Sequence, residues 1–266
     1  MNQIKFIATD MDGTLLDENS QLPTEFSSIY QQLKAQGIIF CPASGRQYYS
    51  LYETFGDIKD ELVYIAENGT VVMHQGKELY SNTLDKTTIP AIIEHVRQLP
   101  NSYLVLCGKN SAYIETQEPE LLDEFKKYYH KCQYVEDLLH VDDEFIKIAI
   151  CNFEGTEEHV FPTLNQHFGA DMQVIVSAHI WLDIMNKTAS KGDALQFLQK
   201  HFNFNKTETM VFGDYLNDLE MLDNAEYSYA MANAHPKVKN HANYTAPSNQ
   251  QHGVITILKA LLAENK

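Results

Sequence analysis

Residues Ile4 to Thr9 (Ile-Lys-Phe-Ile-Ala-Thr) form an apolar, β-favouring run that gives way abruptly to Asp10-Met11-Asp12-Gly13-Thr14. Alternate side chains of a strand share a face, so two carboxylates one residue apart, just past a buried strand, can converge on one small volume. Gly13 lets the backbone turn away where a side chain would clash. Like charges at such a separation raise one another's pKa unless a cation lies between them. The arrangement asks for Mg2+, a hard ion that takes oxygen ligands and shares them with phosphate. An EF-hand loop is excluded: counting from Asp10, Leu15 stands where it needs Gly and Gln21 where it needs Glu. A solvated acidic turn remains open. The Asp-x-Asp of a glycosyltransferase belongs after a nucleotide-binding half, not at the first strand.

Along the chain, Pro23 opens a helical stretch with Phe26, Ile29, Tyr30 and Leu33 on one face, and Gly37 is placed to close it. Ile38 to Cys41 reads as a second buried strand ending in Pro42-Ala43-Ser44-Gly45-Arg46. Strand, helix and strand in that order make a βαβ unit and hence a parallel sheet. The loops after Thr9 and Cys41 then share its carboxyl edge, where open α/β sheets bind ligands. Leu62 to Ala66 reads as a third strand, followed by Glu67-Asn68-Gly69 and a hairpin around Gln75-Gly76.

From Asn82 to Thr88 the character changes. Paired strands with interspersed helices follow, up to the alternating Ile180, Leu182 and Ile184, and suit an α+β insert with one exposed sheet face. From Thr188 the parallel pattern returns: a helix opened by Ser190-Lys191-Gly192-Asp193, the buried strand Thr209 to Gly213 ending in Asp214-Tyr215-Leu216-Asn217-Asp218, the strand Tyr227 to Met231, and a final helix from Gly253 to Leu262. The expected organisation is α/β: residues 1–82 and 187–266 form one parallel-sheet core, and residues 83–186 form an inserted α+β cap.

The 266 residues carry 20 Lys plus Arg against 36 Asp plus Glu, a net charge of −16 that argues against nucleic acid or an anionic membrane surface as partner. Any phosphate site must be made positive locally. Cys41, Cys107, Cys132 and Cys151 have neither zinc-knuckle nor redox spacing. Met1 to Lys5 lacks a signal-peptide layout, and no apolar stretch is long enough to cross a bilayer. The expectation is a cytoplasmic, reduced chain; its oligomeric state leaves no mark in the sequence.

Four groups at strand ends or helix starts combine. Asp10 and Asp12 supply carboxylates. Ser44, with the amide of Gly45, offers a hydroxyl and a backbone donor for a phosphoryl oxygen. Lys191 stands at a helix start, where its ammonium and the local amides favour an anion. Asp214 and Asp218 bring two more carboxylates with Asn217 between them. Singly, Ser44 or Asp214 could cap a helix and Lys191 could be a solvated lysine; together, in this order, they resist that explanation.

Asp10-Met11-Asp12-Gly13-Thr14, Ser44, Lys191 and Gly213-Asp214-Tyr215-Leu216-Asn217-Asp218 resemble the four signature motifs of the haloacid dehalogenase-like phosphatases, and Ala66-Glu67-Asn68-Gly69 resembles the Asn-Gly turn of their Cof-like branch. The resemblance covers the whole chain. It implies a Rossmann-like core with a large cap inserted between the second and third motifs, and Mg2+ as cofactor. It implies that Asp10 is the nucleophile that becomes an aspartyl phosphate. Asp12 would protonate the leaving alcohol and deprotonate the attacking water, its backbone carbonyl reaching the metal. Ser44, Gly45 and Lys191 would hold the phosphoryl group and Asp214 the metal, with Asn217 on the phosphate and Thr14 and Asp218 in support. Tyr215 departs from the small or polar residue often found there and would narrow the pocket beside the metal.

The expected reaction is hydrolysis of a small phosphorylated metabolite, a sugar phosphate or phosphorylated cofactor, by way of the aspartyl phosphate. The alternatives are a phosphomutase or phosphotransferase with the same covalent step, and a metabolite-binding module without turnover. Arg46 is a candidate for a second anionic group. Trp181, His179 and Tyr113 are candidates for the wall of the substrate pocket.

Overall fold

The computed structural model describes residues 4–264; the expectation on Met1 to Lys5 falls largely on residues 1–3, which lie outside them, as do 265 and 266. Phe6–Thr9 is an inner strand of a five-stranded parallel sheet in the order Tyr244–Ala246, Tyr227–Met231, Thr209–Gly213, Phe6–Thr9, Ile39–Pro42. All four residues of Phe6–Thr9 are fully buried, which is why the run is apolar without alternation. Helix Phe26–Ala35 lays Phe26, Ile29, Tyr30 and Leu33 against the core, and Gly37 leaves it at φ +74°.

The register pairs Thr9 with both Pro42 and Phe212, so the chain leaves all three strands at one level. Asp10, Ser44 and Asp214 therefore gather at one sheet edge. The strand Val63–Ala66 meets this sheet through a parallel bridge between Ala43 and Ile65; its own ladder is antiparallel, to Val71–His74, which pairs in turn with Lys77–Ser81.

A second sheet draws all six strands from residues 103–186, in the order Met172–Ala178, Trp181–Asn186, Phe145–Cys151, Tyr103–Gly108, Ala112–Ile114, Cys132–Tyr134. Its pairs are antiparallel except the last, Ala112–Ile114 with Cys132–Tyr134. Helices Ile89–Val96 and Phe161–Phe168 cover one face, where Ile92, Ile93 and Leu164 share a core with Ile148 and Ile150. The expected exposed face does not exist over the central strands. Leu121 and Phe125 of helix Pro119–Lys126, with Tyr129, pack on Val105, Cys107, Ala149 and Trp181, and all seven residues of Phe145–Cys151 are buried. Among the described residues no helix is long and apolar enough to cross a membrane.

Candidate active site

Past Asp10 the chain stops being a strand and makes a wide turn over Met11–Leu15, with Gly13 at φ +82°. Gly13 is required twice: for that dihedral, and because a Cβ there would stand 2.3 Å from Asp214 Oδ2. The Thr14 hydroxyl donates to Asp214 Oδ1 at 2.9 Å and fixes the carboxylate in the notch. Strand alternation no longer holds in the turn; Asp10 and Asp12 both line one small cavity but take different partners. Asp12 is instead gripped by Arg46, whose Nε and Nη2 donate to its two oxygens at 2.7 and 2.5 Å. The Arg46 guanidinium also lies 5.5 Å from the centre of the Tyr128 ring.

Lys191 meets Asp10 instead. It begins helix Lys191–Phe202, behind Ser190, whose side chain accepts the Asp193 amide. It is no solvated lysine: its side chain is fully buried, and Nζ donates to Asp10 Oδ1 at 2.6 Å and to Asp218 Oδ1 at 2.7 Å. The other oxygen of Asp218 accepts the amides of Asp214 and Tyr215 at 2.9 and 3.2 Å, so Asp218 is spent on holding the loop and the lysine.

Ligand oxygens of Asp10, Asp214 and Asp218 lie within 4.8 Å of one another, and the Lys191 ammonium bonds Asp10 and Asp218. Burial pushes the Asp10 carboxyl up to about 7, with Lys191 opposing and Asp218 adding to the rise. Burial, then the charges of Asp10 and Asp218, hold Asp214 well above the usual carboxylate range. Three carboxylates against one cation leave an excess of negative charge in a water-poor place, and oxygen is the only donor on offer. That donor set fits a hard divalent cation. Asp10 and Asp214 are the members free to ligate it; the Asp12 carboxylate lies outside the group.

Ser44 is buried, and its Oγ accepts the Arg46 amide at 3.1 Å. Its loop is pinned by the turn Glu67–Gly69: the Asn68 amide donates to the Ser44 carbonyl and the Glu67 amide to that of Arg46. Glu67, Asn68 and Gly69 all have positive φ, at 51°, 57° and 91°. A Cβ on Gly69 would sit 2.1 Å from the Ser190 carbonyl oxygen, so this turn seats the start of the Lys191 helix.

Two buried charges of the second sheet reach the same place, and the sequence reading passed over both. Lys147 Nζ lies 2.8 Å from the Gly45 carbonyl, 2.8 Å from Glu67 Oε2 and 3.5 Å from Asp183 Oδ1. Asp183 accepts from Asn68 Nδ2, and Asn68 Oδ1 accepts from Asn217 Nδ2 at 2.8 Å. Burial works against the Lys147 charge, yet Asp183 and Glu67 outweigh it and hold the ammonium above its ordinary pKa. A lone charge inside Phe-Ile-Lys-Ile-Ala-Ile-Cys was the available signal.

A cavity of about 150 Å³ opens over these groups. Asp10, Asp12 and Ser44 line it from the first sheet's edge, and Tyr128, Trp181 and His179 from the other side. Tyr215 lines it as well, edge-on to His235. Tyr113 does not: its hydroxyl donates to Asp143 Oδ2 at 2.9 Å, and the ring packs near Phe145.

The sequence model of the haloacid dehalogenase-like hydrolases matches residues 7–258. The 5-amino-6-(5-phospho-D-ribitylamino)uracil phosphatase YbjI of Escherichia coli is 36% identical over 97% of this chain and 96% of its own. The HMP-PP phosphatase of Klebsiella pneumoniae is 27% identical over 88% and 86%. Among solved structures, that of SMU.1108c from Streptococcus mutans superposes with a TM-score of 0.92 at 31% identity, covering 98% of this chain and 100% of that one. A haloacid dehalogenase-like hydrolase of B. subtilis gives 0.87 at 26% identity, covering 96% and 99%. The fold is theirs, a parallel-sheet core with an additional capping sheet. The chain belongs to the haloacid dehalogenase-like hydrolases, and it is an enzyme of their phosphatase kind.

Proposed function

We propose that the chain hydrolyses the phosphate monoester of a small metabolite through covalent transfer to Asp10. A carboxylate oxygen of Asp10 attacks phosphorus as the ester oxygen departs, and Asp12 gives that oxygen its proton. Asp12 then takes a proton from water, whose oxygen attacks phosphorus and releases Asp10 and inorganic phosphate. Lys191 offsets the nucleophile's charge while the phosphoryl group approaches, and Ser44 and the Gly45 amide hold phosphoryl oxygens. Arg46 positions the Asp12 carboxylate, and one of its two bonds must open for Asp12 to carry the proton it gives the leaving oxygen. Mg2+, held by Asp10, Asp214 and the Asp12 carbonyl, would supply further charge neutralisation for the dianionic substrate. The division of the core into residues 1–82 and 187–266, with 83–186 as a cap that limits the site to small molecules, belongs to the same reading.

The observation that carries this reading is the buried Lys191 ammonium shared by Asp10 and Asp218. Its geometry suits neutralising a nucleophilic carboxylate, and a solvated surface lysine would have no need of it. The substrate is a phosphorylated molecule small enough for the aromatic chamber of Tyr128, Trp181 and Tyr215. A flat ring or a sugar fits such walls, and YbjI is named for a phosphorylated ribitylaminouracil. The four free cysteines suit the cytoplasm.

The test is phosphate release from p-nitrophenyl phosphate with and without Mg2+, followed by a panel of phosphorylated metabolites that includes 5-amino-6-(5-phospho-D-ribitylamino)uracil. Metal-dependent release with one strongly preferred substrate is the expected result. No release under any condition would leave a binding module, and isomerised phosphosugar without free phosphate would mean a mutase.

A further inference from the structure

We propose that Asp183, on the second sheet, is a positioning residue for the phosphate end of the site, acting through Asn68 on Asn217 with Lys147 as its counter-ion. The proposal rests on the phosphatase reading above.

The argument is one of hydrogen-bond direction. A carboxylate accepts hydrogen bonds and donates none, so Asp183 demands the amide nitrogen of Asn68. Asn68 must then turn its oxygen toward Asn217, and that oxygen demands the nitrogen of Asn217. Every amide orientation in the row is thereby set from its far end. One N–H of Asn217 is used. The second N–H, and an Oδ1 that is buried without a hydrogen-bond partner, remain at a residue that lines the cavity beside Asp10.

Asp183, Asn68 and Lys147 are each no more than 2% exposed, and Asp183 and Lys147 meet the cavity only at its wall. Lys147 also bonds the carbonyl of Gly45, the residue whose amide is assigned to the phosphoryl group. The phosphate-side donors of the first sheet are thus oriented by residues of the second. Without Asp183 the Asn68 amide can turn over, and Asn217 loses its fixed direction.

The experiment is a double-mutant cycle on the full chain with Mg2+ present, using Asp183→Asn, Asn217→Ala and the pair. Asp183→Asn keeps the volume, leaves Lys147 with Glu67 as counter-ion, and offers Asn68 either a donor or an acceptor. The readouts are the affinity for inorganic phosphate by calorimetry and kcat/KM for p-nitrophenyl phosphate. Asp183→Asn is expected to weaken phosphate about five- to tenfold, the scale of one hydrogen bond. The double variant is expected to bind no more weakly than Asn217→Ala alone.

Equal losses from Asp183→Asn in both backgrounds, or no loss in either, would overturn the relay and leave Asp183 a packing residue. A wild-type chain that binds no phosphate and turns over no ester would overturn the phosphatase reading, and the relay with it. Should Asp183→Asn fail to fold, Asn68→Gly cuts the same row, because glycine accepts the φ of +57° found there. It is expected to give the same non-additivity with Asn217→Ala, and additive losses would overturn the relay as before.

Discussion

The ammonium of Lys191 lies 2.6 Å from the Asp10 carboxylate across 181 positions of chain, and its side chain is fully buried. On the proposed mechanism the contact serves fold and reaction together. Lys191→Met leaves Asp10 and Asp218 facing each other without a cation. Breaking a buried pair in this way costs about 3–5 kcal/mol, read as a lower melting temperature. The proposed chemistry adds a fall in kcat of roughly 10²- to 10³-fold, the usual scale for removing a group that stabilises developing charge.

Asp10→Asn separates the two roles. An amide cannot form the proposed covalent intermediate, so turnover is expected to be lost. The amide also relieves the burial that pushes the Asp10 carboxyl up to about 7. In chelator, its melting temperature is expected to equal or exceed that of the wild type. Wild-type activity in this variant would overturn the assignment of the nucleophile.

Asp12 is two residues from Asp10 yet bonded by Arg46 through both its oxygens. Asp12→Asn is expected to slow turnover severely while an activated ester still phosphorylates Asp10. Rapid quenching and mass spectrometry would then find a phosphoenzyme that accumulates. Its absence would count against dividing the roles between the two aspartates.

Removing divalent cations is expected to abolish phosphate release and to lower the melting temperature, because ion binding stabilises only the folded cluster. At a hundred times the dissociation constant the stabilisation is about 2.7 kcal/mol. Asp214→Asn is expected to lose most of that Mg2+-dependent thermal shift. An unchanged shift would move the ion elsewhere.

Gly69→Ala tests the seat of the lysine helix. The added Cβ meets the Ser190 carbonyl at 2.1 Å, and φ at this position is +91°. Both effects act against alanine, so the loss is expected to exceed about 1 kcal/mol. Because the displaced element carries Lys191, kcat should fall with stability. Full activity at wild-type stability would show that the turn is slack.

Much of the fold was legible because burial leaves a pattern. Phe6–Thr9 and Thr209–Gly213 are covered on both faces, so their runs are apolar without alternation; helix Phe26–Ala35 is covered on one face and shows the matching period. Other elements left too little pattern. Tyr244–Ala246 is three residues at a sheet edge, with Tyr244 and Thr245 exposed, and helix Pro236–His241 buries only Val238. The covered second face of the inserted sheet was also hidden, since Leu121 and Phe125 read as one more helix stripe without naming the surface they pack on.

The site divides in the same way. The sequence by itself determined which groups stand at the carboxyl edge, because a strand that ends in Asp10, Ser44 or Asp214 delivers it there whatever the rest of the chain does. Only the tertiary structure decided the partners: Lys191 and Asp218 for Asp10, Arg46 for Asp12, and the row from Asp183 through Asn68 to Asn217. Position along a strand fixes where a side chain starts. Which charge it meets depends on elements from 34 to 181 residues away, and on a turn at Gly13 that ends the strand geometry just past Asp10.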